Sequence, residues 1–367
     1  NLVDSKPAIN YYAGNTWERK IYQTGTTASG GTVSVDVTGE FYGYDQYWGN
    51  TQVAKFNYYI ESTQKKSQET DTWGGEAEVR ISSASAKQLK YVENQPDSSS
   101  LNGGYVEVQA NSGVLEYDCK LPEMDSKGTS TDNIIEYKDS LKLESFPVQK
   151  RLPVYKLNKI RGHWAENDIK ELYSLEVFNE DESQFNPQKF ITRAEFAAAI
   201  LQAIREIPAD PALAKSYTTR KPSSSSKKEK VVPSFSDVDI DHKYFNQIEA
   251  AYKKGLIEGT APGVFDPDEH ITYANAVIIL IRALGLQEKA PNPVPVTMFK
   301  DNASIPADAR GAMFMAQKIG IIQGDDRGYI YPNNPLTKAR TAQLLNSFIK
   351  YMRDGIRKDY REYFINY

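Results

Sequence analysis

The first 150 residues alternate between apolar and polar positions with a period of two. Segments such as Thr32–Thr38, Ala54–Ile60 and Tyr105–Gln109 carry β-branched or aromatic side chains at every second position. Predicted turns rich in glycine, serine or proline, among them Gly74–Gly75, separate such segments. Alternation at this spacing predicts antiparallel strands. We therefore predict an all-β, sandwich-like domain over residues 31–150. Because the alternation is weaker before it, we predict an extended arm over residues 1–30.

From about residue 157 the apolar positions change to a helical period. The pattern is clear in Ile169, Leu172 and Tyr173, and it returns in Phe196 and Ile200. Apolar residues three and four positions apart predict amphipathic helices. The chain is thus expected to be multidomain, with a β half followed by an all-α half.

The helical half contains an internal repeat. Three sixteen-residue segments, Val177–Thr192, Ile257–Thr272 and Ile322–Thr337, align without gaps and keep a proline five positions before the final threonine. An amphipathic stretch precedes each segment and another follows it, so each unit is predicted to be helix, polar loop, helix.

These units resemble the S-layer homology (SLH) domain family. The resemblance rests on Gly162–Glu166 and Ile191–Phe196 in the first copy, and on the openings at Phe235 and Phe299 in the other two. We place the three copies at residues 157–207, 234–286 and 297–350. The resemblance implies a pseudo-threefold helical lobe that binds secondary polymers of a bacterial cell envelope, commonly pyruvylated ones. The β half resembles no family.

The start of the second helix in each copy is the candidate binding site. Thr192 is placed to cap its helix, with Glu195 completing a capping box, and Thr272 and Thr337 take the same position in the other copies. A helix N-terminus with free N–H groups favours anions, and an adjacent Arg193 could hold a carboxylate with two hydrogen bonds. The predicted polymer-binding residues are Arg193, Glu195, Trp164, Lys338 and Arg340.

The copies differ at these positions. The second has Tyr273 where the first has Arg193, and the third has Lys338 and Arg340 in one helical turn, which is hard to explain without an anion. We expect a good groove at Arg193, a further one at Lys338 and Arg340, and a degenerate one at Tyr273. Three alternatives stay open: Arg193 pairs with a neighbouring acid, Trp164 fills a helix–helix joint rather than stacking on a sugar, and degenerate copies bind neighbouring subunits.

Two further segments lie outside the repeats. Residues 208–233 contain a serine run followed by lysines and are expected to form a flexible basic linker, either solvated or in contact with the anionic polymer. Residues 351–367 are expected to form a C-terminal helix or tail whose stripe of Ile356, Tyr360 and Phe364 docks on the lobe.

Composition and charge exclude several classes of protein and of binding site. The chain has 367 residues, one cysteine (Cys119), three histidines and a net charge of −4. These counts exclude an internal disulfide framework and a cysteine zinc site, and no apolar run approaches the roughly 20 residues of a membrane helix. We expect no nucleic-acid partner and no cofactor. Calcium stays open without an assignable site, because the acidic run Asp237–Asp241 lacks the glycine and glutamate of a calcium loop. The start at Asn1, without a leader, suggests a processed or trimmed secreted form.

We therefore expect a secreted structural protein of the bacterial cell surface, not an enzyme. Its SLH copies would bind an anionic wall polysaccharide, and its β-domain would assemble with other copies into a layer or filament. A wall-anchored carbohydrate-binding module is the first alternative, with Tyr42–Trp48 as a sugar-stacking platform, and an envelope-displayed enzyme is the second. The arm either joins a neighbour's sheet or pairs within its own domain.

Overall fold

The N-terminal half is one antiparallel sheet. The computed structural model describes residues 2–24, 30–66, 69–93, 103–126, 128–205 and 232–359. The strands are β1 Leu2–Ser5, β2 Asn10–Thr24, β3 Gly31–Gln46, β4 Gly49–Lys66, β5 Glu69–Val92, β6 Gly104–Met124, β7 Ser130–Glu144 and β8 Val148–Arg151. Strands β1 to β7 are neighbours in chain order, and β8 pairs with β6.

The sandwich prediction was wrong. All strands belong to one sheet, and no second sheet packs against it in the described part of the chain. The reason is strand length: β5 has 24 residues and continues through Gly74 and Gly75, which the sequence analysis read as a turn. A Cβ at Gly75 would lie only 2.6 Å from Leu121 Cδ2, so this glycine permits close packing inside the sheet.

The extended arm was also wrong. Residues 2–5 and 10–24 are strands, and β2 pairs with β3 along its whole length, from Asn10 opposite Asp45 to Thr24 opposite Gly31. The intervening Ala8 and Ile9 are buried, and the Ala8 N–H donates to the Ala283 carbonyl at 3.0 Å. The segment therefore pairs within its own domain, which is the alternative that the sequence left open.

The C-terminal half is helical. Its α-helices in the described residues are α1 Glu166–Ser174, α2 Arg193–Ile204, α3 Phe245–Lys253, α4 Tyr273–Ala283, α5 Arg310–Lys318 and α6 Lys338–Lys350. They form the three predicted helix–loop–helix units. A π-helical turn, Tyr351–Gly355, prolongs α6, and the following Ile356 is buried as predicted. Tyr360, Phe364 and most of the expected linker lie outside the described residues.

One end of the sheet is fixed to the helices by the β3–β4 hairpin. Trp48 at its tip is 1% exposed, and its indole N–H donates to the Ala203 carbonyl at 3.4 Å. The Gln46 amide donates to the Met352 carbonyl. Tyr44 is also buried, so Tyr44 and Trp48 belong to the core at this joint and cannot stack on a sugar.

Candidate functional site: three grooves between the helical units

The second helix of each unit begins at the predicted threonine. The Thr192 hydroxyl accepts from the Glu195 N–H at 3.2 Å, and the Glu195 carboxylate accepts from the Thr192 N–H at 3.1 Å, which completes the capping box. Thr272 and Thr337 accept in the same way from the third residue of their helices. In the structure each of the three threonines therefore caps its helix.

The first two N–H groups of each second helix already have hydrogen-bond acceptors within the protein. They donate to carbonyls in the loop of another unit at 2.8–3.0 Å, and the pairs are Arg193 to Glu269, Ala194 to Pro267, Tyr273 to Asn334, Ala274 to Pro332, Lys338 to Lys189 and Ala339 to Pro187. The expectation of free N–H groups for an anion was therefore wrong. The repeated proline has a clear role, because its carbonyl accepts from the neighbouring helix.

The three loops also bond one another in a closed cycle. The Ile191 N–H donates to the Leu336 carbonyl, Leu336 donates to Ile271, and Ile271 donates to Ile191, at 2.9, 3.0 and 3.2 Å. All three side chains are buried. The aliphatic residue before each threonine therefore marks the centre where the units meet.

This arrangement places the first residue of each second helix against another unit's loop. We name the resulting contacts the 1–2 groove, with Arg193 against residues 257–272, the 2–3 groove, with Tyr273 against residues 322–337, and the 3–1 groove, with Lys338 against residues 177–192.

In the 1–2 groove, Arg193 holds backbone rather than an acid. Its Nε donates to the Phe265 carbonyl at 2.8 Å and one terminal nitrogen donates to the Glu258 carbonyl at 3.1 Å. The guanidinium lies 4.8 Å from the centre of the Phe265 ring. Burial lowers the pKa of Arg193, against the opposing effect of Asp266 and other nearby carboxylates, but arginine keeps its charge.

In the 3–1 groove, Lys338 is neutralised within the protein. It is 4% exposed, and its Nζ lies 2.6 Å from both carboxylate oxygens of Glu180. The Glu195 carboxylate lies 3.9 Å away. Glu180 supplies the negative charge that the sequence analysis expected from an external anion.

Arg340 does not lie beside Lys338. It lies in the 2–3 groove, against the ring of Tyr273. Its guanidinium lies 5.2 Å from the centre of the Tyr273 ring, and it donates to the Gln343 side chain at 2.7 Å. Tyr273 is 4% exposed, and burial raises its pKa to about 12, although Arg340 opposes the shift. Lys338 and Arg340 thus lie in different grooves, and the groove expected to be degenerate contains an arginine.

A cavity of about 480 Å³ opens at the 2–3 groove. Much of its polar lining comes from one face of α6 and the turn after it, namely Arg340, Gln343, Ser347, Lys350 and Asp354, and the loop of the third unit adds Gln323. Of these residues, Lys350, Ser347 and Gln343 were not predicted from the sequence. Their spacing of three or four residues from one another, continuing from Arg340, was the signal that could have found them.

The other two predicted residues are placed differently. Trp164 is 59% exposed, and its ring centre lies 5.5 Å from that of His163. It does not fill a helix–helix joint, so its face is accessible. The Glu195 carboxylate is used by the capping box and lies near Lys338 and Lys189.

A second cavity, of about 890 Å³, lies where the sheet meets the second unit. Three tyrosines from the sheet line it together with basic residues from the helices; the set includes Tyr11, Tyr12, Tyr42, Lys254, Arg282 and Lys289. It combines flat rings with hydrogen-bond donors, as sugar-binding sites do.

Asp237, which opens the acidic run considered for calcium, serves the loop. Its carboxylate accepts from the Phe265 N–H at 2.9 Å and from the Asp266 N–H at 2.7 Å. Although burial opposes the shift, these hydrogen bonds lower the pKa of Asp237. Within the described residues, no group of three or more His, Cys, Asp or Glu side chains is arranged to hold a metal ion.

In the described ranges no helix combines the length and apolar character needed to span a bilayer. Residues 160–197, 234–277 and 299–339 match the family model of the S-layer homology domain. An amylopullulanase of Thermoanaerobacterium thermosulfurigenes is 31% identical over 196 residues, which are 53% of this chain and 9% of that protein.

Two surface proteins are similar over about half of this chain. The surface-layer 125 kDa protein of Lysinibacillus sphaericus is 26% identical over 208 residues, 56% of this chain and 16% of that protein. An S-layer protein of Bacillus thuringiensis subsp. finitimus is 29% identical over 184 residues, 50% of this chain and 20% of that protein. The match therefore spans a fifth or less of the length of each of these relatives. Relatives named as enzymes match only the helical half.

The matches cover the three units whose loops and helix starts form the grooves, and the relatives include proteins of bacterial surface layers. The C-terminal half of this chain therefore carries three S-layer homology domains, which are non-catalytic anchors, in a wall-associated protein of the bacterial cell surface.

Proposed function

We propose that this protein is a structural component of the bacterial surface. Its S-layer homology domains would hold it to an anionic, pyruvylated wall polysaccharide, and its sheet would associate with other copies in a layer or filament. The observation that best supports the anchoring role is the cavity at the 2–3 groove, where Arg340 and Lys350 face open space beside the Tyr273 ring.

The chemistry of this groove suits an acidic sugar. Arg340 offers the planar guanidinium that pairs with a carboxylate, and Lys350 adds a second positive charge. Ser347 and Gln343 can hydrogen-bond sugar hydroxyls, and the cavity of about 480 Å³ falls in the range of small-ligand sites. A pyruvate ketal has the required carboxylate.

The remaining predicted residues have graded roles in this proposal. Arg193 is a second contact, with part of its hydrogen-bonding capacity committed to the Phe265 and Glu258 carbonyls. Lys338, with its Glu195 neighbour, contributes less because Glu180 already neutralises it. The exposed Trp164 would stack on a sugar face.

The three grooves also support a symmetry proposal. Each unit makes the same two helix-start bonds to the next unit, and the loops close a cycle of three bonds. We infer that the domains are related by a pseudo-threefold axis, so that three unequal versions of one groove surround it.

Calorimetry with purified pyruvylated wall polymer and the full chain tests the anchoring role. Arg340→Ala is expected to weaken binding at least tenfold, or about 1.4 kcal/mol, because it removes the guanidinium facing the cavity. Arg193→Ala should weaken binding less and Lys338→Ala least. The matched control is Arg310→Ala, an exposed arginine of the same unit that lies outside the groove. Wild-type affinity in Arg340→Ala would refute the assignment of the 2–3 groove.

We also propose that the chain has no catalytic activity of its own, since the enzyme relatives match only its anchoring domains. Carbohydrate binding by the cavity of about 890 Å³ is a second candidate function, favoured by the tyrosines that line it. A glycan array probed with the full chain tests it: retention that Tyr42→Ala abolishes supports this function, and no retention of any neutral glycan counts against it.

A further inference from the structure

The sheet ends on both sides in strands with uncovered edges. Strand β1 pairs with β2 only at residues 10–13, which leaves Gly14–Gln23 with no strand on its outer side among the described residues. On the opposite side, β7 pairs only with β6 in that part of the chain. Each edge presents a row of backbone N–H and C=O groups that another strand could bond.

Both edges also carry exposed apolar side chains. On β2 they are Trp17, Ile21 and Tyr22, which are 67%, 58% and 55% exposed. On β7 they are Ile134, Tyr137 and Leu141, which are 61%, 50% and 56% exposed. An uncovered strand that carries exposed apolar side chains is a predicted site of pairing with another chain.

The register of the strand pairs fixes how the two edges correspond. Following the ladders from β2 to β7, Arg19 lies in the same row as Glu136, through Asp36, Tyr59, Glu76 and Lys120. Trp17 lies in the same row as Lys138. Strands β2 and β7 are the outer two of six strands, each antiparallel to the next, so they run antiparallel to each other. In a given row, the residues of β2 and β7 therefore either both direct their backbone N–H and C=O groups away from the sheet or both direct them into it.

We propose, resting on the self-association in the proposed function, that residues 132–141 of β7 of one copy pair antiparallel with Gly14–Gln23 of a second copy in this same register. The contact would place Arg19 opposite Glu136 and Trp17 opposite Lys138 on one face of the joined sheet. Two residues further along, Ile21 would meet Ile134 on that face. An ion pair, a cation–π contact and an apolar pair are all favourable cross-strand pairs.

The charges favour this partner over the symmetric ones. Gly14–Gln23 has one acid and two bases, a net of +1, whereas β7 has four acids and two bases, a net of −2. Pairing β7 with β7 would bring two negative edges together, and pairing β2 with β2 would bring two positive edges together.

This contact is heterologous, so it does not close on itself. Each added copy leaves one β2 edge and one β7 edge uncovered, and the same contact can repeat. The sheet would continue from copy to copy while the helical domains occupy the other end of the strands, where Trp48 and Ile9 are buried.

Charge exchange tests the register in the full chain by sedimentation. Arg19→Glu is expected to weaken self-association about fivefold, because it opposes Glu136 with a like charge. Combining it with Glu136→Arg should restore association. The control is Arg80→Glu, the same charge change on the exposed face of the inner strand β5. Association that Arg19→Glu leaves unchanged overturns the proposed edge.

Disulfide trapping in a Cys119→Ser background gives an independent measurement. A mixture of Ile21→Cys and Ile134→Cys chains should form a linked pair, whereas Ile21→Cys alone should not. Leu143→Cys is the matched control, since nine residues of strand separate it from Ile134 by about 30 Å. Equal trapping at Leu143, or linked pairs of Ile21→Cys alone, overturns the register.

The two proposals fail in distinguishable ways. A wild-type chain that stays monomeric at every concentration overturns both the edge contact and the self-association in the proposed function. A chain that associates regardless of the edge substitutions overturns the edge contact only.

Discussion

At the residue scale, one position in the first domain departs from its two counterparts. The residue after the C-cap of α1 is Glu176 with φ of 57°, whereas α3 and α5 are followed by Gly255 and Gly320 with φ of 69° and 75°. All three N–H groups make the same bond back to their helix, at 2.8–3.0 Å. The left-handed conformation suits glycine and strains a residue with a Cβ.

We therefore expect Glu176→Gly to stabilise the protein by about 0.5–1 kcal/mol, since it removes the strain at the cost of some entropy in the unfolded chain. Thermal unfolding of the full chain measures it. Glu176→Ala, which removes the carboxylate but keeps the Cβ, should leave the midpoint unchanged. Gly255→Ala should lower it, because a Cβ there meets no atom within 4 Å and only the φ of 69° matters. A midpoint that rises equally in Glu176→Ala would attribute the effect to charge.

At the element scale, the loops of the second and third domains are fixed by a matching aspartate. Asp237 accepts from the Phe265 and Asp266 N–H groups, and Asp301 accepts from those of Ile330 and Tyr331. In each pair the second residue has a positive φ, 55° at Asp266 and 53° at Tyr331. Each aspartate lies two positions after a phenylalanine, Phe235 or Phe299. It fixes the turn just before the proline that is repeated in every loop of this chain.

The pKa of Asp237 predicts how this loop responds to acid. Since the folded pKa is lowered below the unfolded value of about 3.9, its contribution to stability is present above that value and is lost as pH falls through the folded pKa. The difference in unfolding midpoint between wild type and Asp237→Asn should therefore be constant near neutral pH and shrink below about pH 4. Asp239→Asn, in the same turn, is the control. A difference that persists unchanged in acid would contradict the role of the charge.

The helices could be predicted from the sequence, whereas the arrangement of the strands could be predicted only in part. Apolar spacing and the Thr192 capping box are signals between residues close together in the chain, which is why the repeat predicted the units well. Strand length depends on partners far along the chain, so Gly75 read as a turn although its close contact with Leu121 keeps it inside β5.

The grooves show the same limit. The residue types were visible in sequence, but each groove combines the helix start of one domain with the loop of another. Lys338 and Arg340 are two positions apart in the sequence but lie in different grooves. Glu180, which pairs with Lys338, is 158 positions away in the chain.

At the scale of the whole molecule, the joint between sheet and helices determines whether the two proposed roles work together. Arg205 caps α2 with φ of 53°, donates to the Tyr47 hydroxyl at 3.1 Å and to the Leu175 carbonyl at 2.6 Å, and lies 5.9 Å from the Trp48 ring centre. A protein held to the wall by one half and to other copies by the other half transmits force through this contact.

Trp48→Ala is expected to loosen the joint, because truncating a buried tryptophan leaves a cavity and costs about 3–5 kcal/mol. Hydrogen exchange should rise in the β3–β4 hairpin and at the end of α2 near Ala203, while Ile248 of α3, buried in the second domain, keeps its protection. Trp48→Phe keeps a ring but loses the N–H that bonds Ala203, so it should show a smaller rise.

If Trp48→Ala raised exchange equally in α3, the hairpin would be part of one cooperative core rather than a joint. If exchange did not change at all, the sheet would be held mainly by its other contacts, such as the Ala8 N–H to the Ala283 carbonyl.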